Sequence, residues 1–110
     1  MEAVSQDTLD QKLEEMVRRI VEAVHPDKII LFGSHARGEA GSDSDVDLLI
    51  IAPSDQPNWR RTGLLYQVLR GIGVSKDILW ATPEEAAFWA DGLCHVIAVA
   101  QREGRVLYAR

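Results

Sequence analysis

The chain has 110 residues, 46% apolar and 26% charged, with a mass of 12.3 kDa, the size and make-up of one globular domain with a core of its own. A net charge of -5 argues against a general nucleic-acid binder, and the lone cysteine, Cys94, excludes an internal disulfide and suits a reducing compartment. The longest apolar run, Leu48 to Ala52, is too short to span a bilayer, and the first ten residues lack a signal peptide's basic and apolar regions, so the expectation is a single cytoplasmic domain over residues 1–110.

Leu9, Leu13, Met16, Val17, Ile20, Val21 and Val24 recur at helical spacing, with Glu14, Glu15, Arg18 and Arg19 off that stripe. Thr8 with Gln11 can form a capping box at its start, and His25-Pro26 ends it, because proline keeps its predecessor out of the helical region. Residues 28–32 (KIILF) read as a buried strand that stops at Gly33. Residues 33–45 (GSHARGEAGSDSD) are loop chemistry with one helical turn at the start, and 46–52 (VDLLIIA) read as a second buried strand closed by Pro53. An amphipathic helix runs from about Trp59 to Arg70 with Leu64, Leu65, Val68 and Leu69 inward, and Gly71 and Gly73 end it. Residues 77–81 (DILWA) form a third strand. Thr82-Pro83-Glu84-Glu85 supplies a cap residue, a proline at the first helical position and a glutamate to close the box. One helix follows to about Asp91, another runs from about Cys94 to Glu103, and 105–109 fit a short last strand. Alternating strands and helices make this an α/β or α+β sandwich.

The chemistry is concentrated in Gly33-Ser34 and Asp45-Val46-Asp47. In a strand, residues two apart share a face, so both carboxylates project side by side where a polar loop enters an apolar strand. Two parallel anions beside a core repel unless something positive lies between them, and no lysine or arginine occurs from Glu39 to Pro53. A divalent cation with a taste for hard oxygen ligands, Mg²⁺ or Mn²⁺, answers that need. Gly33 lets a ligand approach the backbone, and Ser34, opening a helical turn, offers its N–H and hydroxyl to a phosphate. Metal beside a phosphate cradle implies a nucleotide polyphosphate and in-line phosphoryl or nucleotidyl transfer with two metal ions. Such a site needs a third carboxylate, and Asp77, opening the third strand, is the candidate ligand and base. The plainer readings are a structural loop for residues 33–47 and a surface ion pair of Asp77 with Lys76.

The run FGSHARGEAGSDSDVDLLI resembles the signature of the DNA polymerase beta-like nucleotidyltransferase superfamily, and its GSxARG opening and SDxDLL close resemble the minimal nucleotidyltransferase group. The ending EGRVLYAR is similar to that group's, and the likeness runs from about Lys28 to Tyr108. The resemblance implies a small mixed β-sheet of three to four strands backed by helices. It implies that Gly33 and Ser34 contact the triphosphate of ATP and that Asp45, Asp47 and Asp77 bind magnesium and serve catalysis. It implies, too, a partner: a helical HEPN-type RNase toxin, whose hydroxyl, a tyrosine, receives AMP, with this chain as its antitoxin. The chain length leaves no room for an acceptor domain, so the expected acceptor is another molecule.

Other residues carry weaker signals. Arg37 reads either as a phosphate or partner contact or as a solvated loop charge, and His35 either as an aid to phosphate binding or, more often for a loop histidine, as solvated. Cys94 and His95 point apart on a presumed helix and make a poor metal pair. Trp59-Arg60-Arg61 reads as a partner patch or as a helix start with arginines lying along the surface. Trp80 and Trp89 are expected in or near the core. Two other functions compete with catalysis on a partner. One is a nucleotide-binding module that inhibits its partner by masking. The other is a small-molecule transferase whose pocket forms between subunits.

Overall fold

The computed structural model describes residues 6–38, 45–89 and 95–110. Helix α1 is Gln6–Val24, strand β1 Lys28–Phe32, helix α2 Ser34–Arg37, strand β2 Val46–Ile51, helix α3 Asn58–Val68, strand β3 Lys76–Ala81, helix α4 Pro83–Trp89, helix α5 Val96–Glu103 and strand β4 Arg105–Ala109. The strands form one mixed sheet in the order β3-β2-β1-β4, with β1 antiparallel to both β2 and β4, and β2 parallel to β3. This is the expected mixed sheet, with all four strands present. Among the described residues no helix is long and apolar enough to cross a membrane.

The two faces of the sheet are covered differently. Ile29, Leu31, Val46, Leu48, Ile50, Ile78 and Trp80 pack against Leu13, Met16 and Ile20 of α1 and Leu65 of α3, with Leu69 just beyond that helix. On the other face Ile30, Leu49, Ile51 and Ala81 meet Ala86 of α4 and Ala100 of α5. The run VDLLII is therefore apolar at nearly every position because β2 lies inside the sheet with both faces covered. Two polar contacts pin the larger layer. The Trp80 indole N–H donates to the Ala52 carbonyl at 2.8 Å, and the Arg19 guanidinium donates to the carbonyls of Val68 and Arg70 at 3.3 and 2.9 Å, tying α1 to the end of α3.

Several local expectations are corrected. Helix α1 begins at Gln6, so Thr8 lies within it and the Thr8–Gln11 capping box is not its start; no helix breaker stands between Gln6 and Thr8, and Asp7 suits a first turn. The helix ends at His25 as expected, with His25 in the left-handed region at φ 48° and its N–H on the Val21 carbonyl at 3.0 Å. Leu64 is exposed, because it lies a quarter-turn away from the buried Leu65 and Leu69 stripe. His95 is not within a helix; it caps α5, its Nδ1 accepting the Ile97 N–H at 3.2 Å. Trp80 is buried, whereas Trp89 is 38% exposed and stacks on the His95 ring. The expected helix limits at Asp91 and Cys94, and Cys94 itself, lie outside the described residues.

The box at Thr82 forms as the residues predict. Glu85 N–H donates to Thr82 Oγ1 at 3.1 Å, and Thr82 N–H donates to Glu85 Oε1 at 2.9 Å. Arg61 completes it with an ion pair to Glu85 at 2.8 Å, so the Trp59-Arg60-Arg61 run divides: Arg61 is turned inward, while Arg60 lies over the exposed Trp59 ring.

Candidate active site

The sheet register brings two of the predicted acids together. On parallel strands β2 and β3, Asp47 stands directly opposite Asp77, and on antiparallel β1 and β2, Phe32 stands opposite Asp47. Opposed residues share a face, so Asp47 and Asp77 lie on the face that carries Leu49, Leu79 and Ala81, the side covered by α4 and α5. Asp45 immediately precedes β2, on the same alternation. Asp47 is half-buried, and Asp45 and Asp77 are exposed. Lys76, next to Asp77, does not pair with it across the strand; its ammonium bonds the Val74 carbonyl at 2.9 Å.

Gly33 closes the site from the side of β1. Its φ is 77°, a left-handed backbone that side chains disfavour, and a Cβ there would overlap Asp47 Oδ2. The end of β1 is thus packed directly on the carboxylate. From Gly33 the chain turns into α2, with the Ala36 and Arg37 N–H groups returned to the Gly33 carbonyl at 3.1 and 3.3 Å. Ser34 opens that turn, and its amide precedes the first of these bonds. Gly33 therefore sits against Asp47, with Ser34 the next residue along the chain.

Asp47 lies within electrostatic reach of both Asp77 and Asp45. Burial pushes its carboxyl above the usual carboxylate range; the charges of Asp77 and then Asp45 push it the same way, while His35 and Arg37 oppose them. No cation occurs in the run from Glu39 to Pro53, yet the turn at α2 brings His35 and Arg37 within electrostatic reach of Asp47. The helical turn after Ser34 carries both residues back toward the end of β1, a proximity that their spacing in the sequence does not show.

The donor set is all oxygen and all anionic, the chemistry of a hard divalent cation. Among the described residues no three His, Cys, Asp or Glu side chains are already gathered closely enough to hold a metal ion. An open groove of about 350 Å³ between α1 and β4, lined by Leu13, Val17, Arg105 and Leu107, lies on the opposite face of the sheet and takes no part in the site.

Comparison with known proteins bears on the family and the fold. A model of the nucleotidyltransferase domain matches residues 11–105. A protein of Methanocaldococcus jannaschii named "Putative protein adenylyltransferase MJ0141" is 36% identical over 53 residues, which are 48% of this chain and 52% of that protein. The match thus spans about half the length of that relative. A crystal structure from Sulfolobus solfataricus, described as "a putative nucleotidyltransferase", superposes with a TM-score of 0.69 over 100% of this chain and 90% of that one at 16% identity, a likeness of fold. The family match runs from α1 into β4 and includes the acids on β2 and β3 together with the Gly33 turn; the chain belongs to the nucleotidyltransferase domain family.

Proposed function

We propose that this chain is a magnesium-dependent nucleotidyltransferase that moves AMP from ATP to a hydroxyl of a protein partner. The observation that carries this reading is the in-register opposition of Asp47 and Asp77 with Asp45 beside them and Gly33 packed on Asp47. Asp45, Asp47 and Asp77 are the residues that would hold the magnesium ions. Bound there, the ions would activate the acceptor hydroxyl and neutralise the departing pyrophosphate. The chain's own residues do the rest. The Gly33-Ser34 turn receives the triphosphate, with no side chain at Gly33 to block its approach. Asp77, on the edge strand, accepts the proton of the attacking hydroxyl as the new bond to the α-phosphorus forms and pyrophosphate leaves. His35 and Arg37 offset part of the negative charge around Asp47.

The acceptor is proposed on two supports. The name of the M. jannaschii relative describes transfer to a protein. The GSHARG and SDVDLL segments resemble the minimal group whose members act on a HEPN-type RNase toxin, and we assign this chain the corresponding antitoxin role, with a partner tyrosine as acceptor. The test uses ATP labelled on the α-phosphate, Mg²⁺ and the HEPN-type partner. Label on the partner, lost when Asp45 and Asp47 are both changed to asparagine, is the expected result. No label on a folded, bound partner refutes transfer. Neutralisation retained by the double variant assigns inhibition to masking.

A further inference from the structure

Strand β3 is an edge of the sheet, and Asp77 sits near its start. The carbonyls of Ser75 and Ala81 accept from Val46 and Ala52, so odd-numbered residues of this strand turn their backbone groups toward β2. The even-numbered residues turn theirs outward, to the open edge. There the Tyr66 hydroxyl accepts the Ile78 N–H at 3.0 Å and reaches the Lys76 carbonyl at 3.5 Å. A phenol is both donor and acceptor, so one hydroxyl engages the peptide groups on both sides of Asp77. Helix α3 sets it there because the adjacent Leu65 is fully buried in the core while Tyr66 remains 42% exposed. Its position is therefore not explained by apolar burial. An edge strand carrying a carboxylate opposite another carboxylate is pushed away from its neighbour, and only one side of it is paired.

We propose that Tyr66 is a positioning residue that holds Asp77 opposite Asp47 against their mutual repulsion, which rests on the reading of Asp77 as the third carboxylate of the metal site. Tyr66→Phe keeps the ring and removes the hydroxyl. Two readouts on the whole chain test it: amide hydrogen exchange at Ile78, and Mn²⁺ affinity by calorimetry in wild type, Y66F, D77N and the Y66F/D77N double variant. Exchange at Ile78 is expected to accelerate in Y66F. Mn²⁺ affinity is expected to fall about tenfold in Y66F, at the low end of what partners of metal ligands contribute, and to fall no further when Y66F is added to D77N. An equal loss in both backgrounds, or none in either, overturns the inference while leaving the site intact. Wild type that binds no Mn²⁺, or D77N that binds as tightly as wild type, instead refutes the metal reading itself and takes this inference with it.

Discussion

Asp47→Asn should stabilise the protein in the absence of metal. Neighbouring strands lie about 4.8 Å apart, so the charges of Asp47 and Asp77 face each other at about 5 Å. Two unit charges at that separation repel by about 3 kcal/mol at an effective dielectric of 20 and by under about 1 kcal/mol in water. Asp77 is exposed, which places the pair toward the watery limit, at about 1 kcal/mol. That corresponds to about 4 °C in the unfolding midpoint of a domain this size. The sign follows from the raised carboxyl of Asp47: the fold holds that proton more tightly than the unfolded chain, so its contribution is greatest below the ordinary value of 3.8 and is lost as pH rises through the folded value. The advantage of D47N is therefore largest at neutral pH, vanishes in acid and shrinks in high salt. Thermal unfolding in chelator at several pH values measures it. A D47N protein that melts at or below wild type at pH 7 refutes the claim that the acids are held together at a cost. On the proposed metal site, added Mg²⁺ and ATP should reverse the ranking, since ligand binding would then stabilise wild type more than D47N.

Gly33→Ala combines a left-handed backbone with overlap on Asp47 and should cost at least about 1–2 kcal/mol in urea unfolding, with loss of nucleotide-dependent stabilisation. Thr82→Ala removes one half of the box at the start of α4 and should cost about 1 kcal/mol by the same assay. Glu85 is held below the usual glutamate range, first by the Thr82 amide and then by Arg61, so its stabilisation is present above the ordinary value of 4.5 and is lost as pH falls through the lower folded value. Glu85→Gln should flatten that acid limb in a pH series of unfolding midpoints. Trp80→Phe leaves the Ala52 carbonyl without its indole donor and should cost about 1 kcal/mol or more, read from the same unfolding curves.

The order of strands and helices and the common side of Asp45 and Asp47 were legible because each rests on a short-range rule. Period-two alternation puts Asp45 and Asp47 on one side, and Thr82-Pro83-x-Glu85 specifies its own helix start. The pairing of Asp47 with Asp77 was not legible to the residue, since register depends on how the 29 intervening residues pack. Leu64 was misplaced because an apolar residue at the margin of a helical stripe is decided by which neighbour it meets. The nearness of His35 and Arg37 to Asp47 was not legible because their sequence distance hides a turn that folds back on it.

The unequal covering of the sheet has an evolutionary consequence. Methionine, leucine and isoleucine fill the layer under α1 and α3, whereas alanines line the layer under α4 and α5 on the side of the acids. Substitutions under α1 and α3 should therefore cost more stability than substitutions in the thin α4–α5 layer, which leaves the face carrying Asp47 and Asp77 the more tolerant of change.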